Sequence, residues 1–192
     1  MSSTALRNVP IVDAIFPGTG VLRDAALVVG GASLTAICAQ ISIPWQPVPF
    51  TLQTMSVMLC GLALGTKRGA LSQLLYVGAG VAGLPVFEGG KFGLHILLGA
   101  TGGYLAAFAI AAALLGFLAK QGWTRSVPKT AAAMLIGDSL VLTIGALWLS
   151  AFIGGKAAIA HGVAPFLVAE IMKAAVVIVA LPSAWKLTKS LP

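Results

Sequence analysis

The sequence predicts an all-α polytopic membrane protein with six transmembrane helices and both termini in the cytoplasm. Three observations predict it. Of 192 residues, 58% are hydrophobic and only 9% charged, where ordinary soluble domains carry about 25% charged residues. The apolar residues gather into long runs with a mean hydropathy of +0.99 over the chain, more than a soluble protein of this size can hide. Nine of the twelve Lys and Arg residues fall in every second gap between those runs. Arg7 and Arg23 precede the first run, Lys67 and Arg68 separate the second from the third, Lys120, Arg125 and Lys129 separate the fourth from the fifth, and Lys186 and Lys189 follow the last. The intervening gaps hold Lys91 and Lys156. Loops rich in Lys and Arg stay cytoplasmic, so the alternation reads as six crossings.

Residues 1–23 form a cytoplasmic lead-in. Pro10, Asp13 and Pro17 interrupt it, and it lacks the apolar core of a cleavable signal peptide. The first span covers 24–43 and ends before Pro44. The second (51–65) and third (69–86) are joined by the tight turn Gly65-Thr66-Lys67-Arg68-Gly69. The fourth covers 94–119, the fifth 130–153 and the sixth 164–185. A crossing helix needs about 20 residues. The second and third runs fall short, so either the bundle shields them or the bilayer thins there. Backbone in hydrocarbon must pair internally, which selects helices, and no ten-residue stretch alternates as a membrane barrel strand would. No linker divides the chain, so residues 1–192 read as one integral-membrane domain. No internal repeat of the kind common in secondary transporters is visible.

Small residues recur four apart: Gly61, Gly65 and Gly69; Gly99 and Gly103; Ala32 and Ala36. This spacing lets helix backbones approach closely, either inside the bundle or against another membrane protein. Cys38 and Cys60 lie in spans without a CxxC or a nearby His, and read as apolar packing residues.

Three charges fall within apolar runs: Asp138, Glu170 and Lys173. A charge in hydrocarbon costs several kcal/mol unless paired or solvated, and is a functional candidate by default. Glu170 and Lys173 are three apart and share one helical face. They lie one to two turns below the outer surface, since the sixth span begins just after Pro165 outside. Lys173 can neutralise a carboxylate or donate to a carbonyl, and Glu170 can accept from N–H groups. The alternative is a self-neutralising pair that only eases insertion. Asp138 lies about two turns into the fifth span; Ser139, Thr143 or a base on another span are its candidate partners, and a structural role is expected.

Two outer loops are distinctive. Ile43-Pro44-Trp45-Gln46-Pro47-Val48-Pro49-Phe50-Thr51-Leu52-Gln53 is stiffened by three prolines that exclude helix. Trp45 is either an interfacial anchor or an aromatic wall for a ligand. Gly83-Leu84-Pro85-Val86-Phe87-Glu88-Gly89-Gly90-Lys91-Phe92-Gly93 is a glycine-rich loop, and leads into Gly99-Ala100-Thr101-Gly102-Gly103-Tyr104. Its glycines permit close backbone approach to a bound molecule. Together these features outline a small pocket with few polar groups. Several enzyme chemistries are excluded by sequence. Gly154-Gly155-Lys156 is followed by Ala157, so there is no phosphate loop. There is no HExxH and no GxSxG. The histidines, His95 and His161, are too few for a metal site, and no cofactor is implied. The bases sit at span ends, not in an aromatic-interleaved patch, which argues against nucleic acid.

Gln40-Ile41-Ser42-Ile43-Pro44, Pro47-Val48-Pro49-Phe50-Thr51-Leu52-Gln53, Gly83-Leu84-Pro85-Val86-Phe87 and Thr101-Gly102-Gly103-Tyr104 resemble the BioY proteins, biotin-specific S-components of energy-coupling factor transporters. The resemblance runs from about residue 24 to 185. It implies a six-helix protein of the bacterial inner membrane that binds biotin near its outer face. It also implies an energising module of a transmembrane T-component and two ATPases. By the same resemblance, Ala32 and Ala36 match the docking motif of the first helix, and Glu170-x-x-Lys173 stands where the family usually has Asp-x-x-Lys. Lys91 and Gly90 fall in the second outer loop, where the family contacts biotin through a side chain or backbone group. Ala100 replaces a proline of the family pattern. Phe50, Trp45 and Tyr104 are candidate walls for the biotin bicycle, and Gln53 a polar contact. The competing readings are an S-component for another small vitamin, an intramembrane enzyme, or a purely structural assembly subunit.

Overall fold

The structure is a computed structural model that describes residues 9–188; Arg7 and Lys189, both used in the charge pattern, lie outside the described residues. Helices dominate. In chain order they are α1 (Ile11–Ile15), α2 (Val21–Gln40), α3 (Gln53–Leu64), α4 (Thr66–Val81), α5 (Leu94–Leu98), α6 (Gly102–Lys120), α7 (Val127–Ile153), α8 (Gly155–Gly162) and α9 (Phe166–Thr188). Among them α2, α6, α7 and α9 are long and apolar enough to cross a membrane. At 12 residues, α3 reaches about 18 Å, well short of the roughly 30 Å hydrocarbon core.

The helix boundaries follow local chemistry. Helix α2 stops at Gln40, three residues before its predicted end, because the chain turns extended ahead of Pro44. Ser42–Ile43 (β1) then pairs antiparallel with Phe50–Thr51 (β2), Ser42 opposite Thr51. This small hairpin departs from the all-helix expectation. Gly65 alone makes the turn between α3 and α4. Its φ of +84° is a left-handed conformation that favours glycine, and a Cβ there would lie 2.6 Å from Pro10 Cγ. Helix α4 ends at Val81, not 86, because Gly83 enters the left-handed region at φ +107°.

The predicted fourth span is two helices. The backbone is extended at Gly99 (φ −83°, ψ −172°), and α6 begins only at Gly102. A broken helix inside a bundle needs partners for its freed carbonyls; Trp148 Nε1 donates to the Gly99 carbonyl at 2.9 Å. Helix α8 lies in a connection where no helix was expected.

Helix α6 is the axis of the fold. It packs on α7, α4 and α3, and is the most buried of the four long helices. Met58, Leu62, Leu115, Met134, Val141 and Leu149 fill the core around it. The glycine spacing serves this packing. Gly61 presses on Ala112, where an added Cβ would sit 2.7 Å from the carbonyl oxygen. Gly116 lies against the backbone of Gly65 and Thr66 so tightly that no Cβ fits. Gly116→Leu is therefore expected to destabilise the bundle by at least about 1–3 kcal/mol, the usual range for overpacking. A lowered Tm in detergent would register it; an unchanged Tm would contradict this packing.

At one end of the bundle Asp13 of α1 is held by Arg23 of α2 at 2.8 Å and by Arg68 of α4, with Asp24 beside both arginines. Burial pushes the Asp13 carboxyl up, but hydrogen bonds and charge from Arg68 and Arg23 outweigh it and hold it below the usual aspartate value. A carboxylate lowered on folding contributes above its unfolded value, about 4, and that contribution is lost as pH falls through the lower folded value. Acidification below about pH 4 is thus expected to free α1, and Asp13→Asn to free it at neutral pH. Faster hydrogen exchange over Ile11–Ile15 is the readout; protection unchanged in Asp13→Asn would reject the clamp.

Candidate ligand-binding site

The site lies at the head of α3, where the hairpin delivers the chain into the first helical turn beside α9. Glu170 and Lys173 project from one face of α9, as their spacing requires, and are 5% and 8% exposed. Their charged atoms meet at 2.6 Å. Lys173 Nζ also donates to the Thr51 carbonyl at 2.9 Å and to Thr54 Oγ1 at 2.7 Å. An ammonium has three N–H donors, and all three have acceptors here. The Thr54 hydroxyl lies 2.9 and 3.0 Å from the two Glu170 oxygens. A buried ion pair is tolerated only when its geometry is good and its remaining donors and lone pairs are satisfied. Thr54 supplies that satisfaction from a different helix.

Two adjoining cavities open around this cluster. The smaller, about 60 Å³, is walled by Tyr104, Leu105, Phe108, Leu142 and Phe166, with Thr54, Glu170 and Lys173 as its polar edge. The larger, about 230 Å³, is walled by Trp45, Gln46, Phe87, Glu88, Lys91 and Ile96. Pro49, Gln53, Thr101 and Leu105 line both. Of these, Gln53 carries a side-chain amide. Its Nε2 donates to the Tyr76 hydroxyl at 2.7 Å and its Oε1 accepts from Thr51 Oγ1 at 2.9 Å. That leaves one N–H and one lone pair of the amide to address a ligand.

The predicted site residues do not all converge. Glu170, Lys173, Gln53, Trp45, Lys91 and Tyr104 line one cavity or the other. The Tyr104 hydroxyl is engaged by the Gly162 carbonyl at 2.9 Å, so its ring is the available surface. Lys91 is paired with Glu88 at 2.5 Å. Trp45, 46% exposed, meets Phe50 edge-on at 5.8 Å. Phe50 lies behind the wall: it stacks on Phe166 at 4.4 Å and faces a separate hollow beside Ile41 and Met172. Gly90 is on neither wall, and its amide donates to Gln40 Oε1 at 3.1 Å. Gln40 also donates to the Val86 and Phe87 carbonyls, so it pins the second outer loop from α2. Ala32 and Ala36 lie away from the cavities, in a groove of about 320 Å³ between α2 and α4.

Sequence reasoning missed Thr54 and Glu88. A lone threonine one residue beyond the proline-rich block carries no periodic signal; only the packing of α3 on α9 gives it a role. Asp138 on α7 is 8% exposed, and its Oδ1 is buried without a hydrogen-bond partner among the described residues.

The sequence matches the model of the BioY family over residues 6–190. The chain belongs to the BioY family. Among its relatives, a probable biotin transporter BioY of Pyrococcus horikoshii is 41% identical over 157 residues, covering 82% of this chain and 93% of the relative. Biotin transporter BioY2 of Lactococcus lactis subsp. cremoris is 35% identical, covering 81% and 86%. Biotin transporter BioY of Thermotoga maritima is 37% identical, covering 73% and 83%. A crystal structure of the S-component for biotin from an ECF-type ABC transporter superposes on this BioY-family chain with a TM-score of 0.76 at 28% identity, over 88% of this chain and 95% of that one.

Proposed function

We propose that this chain is the biotin-binding subunit of a membrane uptake system, a transport subunit and not an enzyme. The observation that carries the reading is the Glu170–Lys173–Thr54 cluster at the edge of the paired cavities. Biotin offers a ureido group with two N–H donors and a carbonyl, a carboxylate, and an apolar bicycle and tail. Glu170 accepts a ureido N–H, Lys173 exchanges one of its three acceptors for a ligand oxygen, and Gln53 bridges the two chambers. Tyr104, Phe108 and Phe166 supply the apolar wall. The test is competition in detergent extract. Labelled biotin should be displaced by unlabelled biotin and not by thiamine or riboflavin. Displacement by either of the latter would reassign the site to another vitamin.

The multi-pass topology that suits this role has six crossings, made by α2, α3, α4, α5 with α6, α7, and α9, with residues 1–192 as one membrane-embedded domain. Both termini then lie in the cytoplasm of a bacterial cell, in its inner membrane. The basic residues support this orientation: Arg23 and Arg68 gather at α1, and Arg125 stacks on Trp185 near the end of α9. The vitamin site lies at the opposite ends of α3 and α9, facing outside. A T-component and two ATPases would energise it, docking on the α2 groove at Ala32 and Ala36. Ala36→Leu, which fills that groove, is expected to leave biotin binding in place while co-purification with the module falls at least about tenfold, the result of losing roughly 1.4 kcal/mol. Full co-purification would move the docking face elsewhere.

A further inference from the structure

Gln53 and Thr101 are the polar side chains that line both cavities. A glutamine amide has two unlike ends, an NH₂ donor and a carbonyl acceptor, and the torsion that turns it has no strong preference of its own. Its partners therefore decide which end meets a ligand. The backbone beneath it is fixed. The Gln53 backbone N–H donates to Thr51 Oγ1 at 3.1 Å, and the Gln53 carbonyl accepts from Ser56 Oγ at 2.7 Å. The same Thr51 hydroxyl donates to Gln53 Oε1 at 2.9 Å, while Gln53 Nε2 donates to the Tyr76 hydroxyl at 2.7 Å. Thr51 thus holds the acceptor end and Tyr76 the donor end, and what remains free of the amide has a set direction.

Tyr76 belongs to α4, is 1% exposed and lines neither cavity. The turn at Gly65 folds α4 back along α3. Gln53 and Tyr76 stand at nearly equal sequence distances from that turn, one on each helix, which brings them level. The Tyr76 ring is held on other sides as well. Phe87, which walls the larger cavity, meets it edge-on at 5.6 Å. Phe87 in turn lies so tightly on Gly80 that no Cβ fits there. Tyr76 also lines the groove of Ala32 and Ala36. A ring packed in this way gives its hydroxyl one place to be. An amide locked before the ligand arrives needs no further ordering on binding, and affinity gains by that preorganisation.

We propose that Tyr76 is a positioning residue of the vitamin site, whose hydroxyl holds the Gln53 amide in one orientation toward the two cavities. This rests on the biotin-binding reading above. The ligand meets Gln53, and Tyr76 acts through it. Without the hydroxyl, Nε2 is a buried donor lacking its acceptor. The amide then turns between alternatives, and the ligand must reorder it.

The test is Tyr76→Phe, which removes the hydroxyl and keeps the ring against Phe87 and the groove. The Kd for biotin is expected to rise about threefold to tenfold, the usual worth of one neutral hydrogen bond. Made in a Gln53→Leu chain, the same substitution is expected to change the Kd by less than about twofold, because the amide it positions is gone. An equal loss with and without Gln53 overturns the proposal and leaves Tyr76 a packing residue. So does a folded Tyr76→Phe chain with the wild-type Kd. The second readout is the magnetic resonance signal of the Gln53 side-chain amide, assigned by its loss in Gln53→Leu. Its protons should be protected from exchange with water in wild type and lose protection in Tyr76→Phe. An amide that exchanges alike in both chains overturns the proposal, even where Gln53→Leu binds too weakly for its Kd to be compared. A wild-type chain that binds no biotin rejects the reading on which this rests, whereas a wild-type chain that binds biotin no better than Tyr76→Phe rejects the positioning role alone.

Discussion

Lys173→Ala is expected to weaken biotin binding by about 100-fold or more. Truncating one partner of a buried, hydrogen-bonded charge pair costs about 2–5 kcal/mol, and about 2.8 kcal/mol is 100-fold. Two effects add. The ligand loses the one cation at the edge of the smaller cavity. Glu170, 5% exposed, loses its counter-charge and is left as an uncompensated ion. Lys173→Arg should not rescue, because a planar fork cannot place donors on the Thr51 carbonyl, Thr54 and Glu170 as an ammonium does. Replacing Glu170 and Lys173 together by Leu and Met separates binding from stability. Removing a whole buried pair is often neutral for folding, so this double variant should fold and yet bind no biotin. Equilibrium binding and thermal melting of the three variants check the argument. If the apolar double variant keeps its biotin affinity, the pair serves only to ease membrane insertion.

Thr54→Val is expected to weaken binding by about tenfold or more while the bundle stays folded. Valine keeps the shape and removes one hydroxyl, which at 2.7 Å accepts from Lys173 and at 2.9 Å lies against Glu170. Hydrogen bonds to charged groups are worth about 1.5–3 kcal/mol. Both ions of the pair lose such a partner at once. Thr54→Ser, which restores the hydroxyl, should recover most of the affinity. A Thr54→Val protein with wild-type Kd would show that α3 contributes shape and not polarity to the site.

These two residues mark the boundary of what sequence could reveal. Lys173 was visible because a charge in an apolar run is costly, and Glu170 three residues away put its partner on the same face. Thr54 was invisible because threonine is ordinary at the head of a membrane helix. Gln53 was quoted with its loop, but its bond to Tyr76 needed α4 to fold back against α3. Phe50 and Gly90 were assigned to the ligand, yet Phe50 stacks away behind the wall and the Gly90 amide is used by Gln40. Within a loop, side-chain direction has no period to read.

The fold divides in the same way. Apolar runs identified the long helices α2, α6, α7 and α9, because burial of backbone in hydrocarbon admits little else. Breaks inside those runs were less legible. The interruption at Gly99 persists because Trp148, 49 residues away in sequence, donates its indole N–H to the freed carbonyl. The hairpin of β1 and β2 arises where prolines end a helix that hydropathy would have continued.

Composition, the spacing of bases and the misplaced charges were enough to specify a helical membrane bundle and its acid–base pair, since solvation energy depends on residue type and position along the chain. Which groups stand beside that pair was settled by folding. Thr54 from α3 reaches Glu170 only when α3 packs against α9. A hydrogen bond operates over about 3 Å, and no spacing along a sequence encodes a distance between helices that the chain has yet to bring into contact.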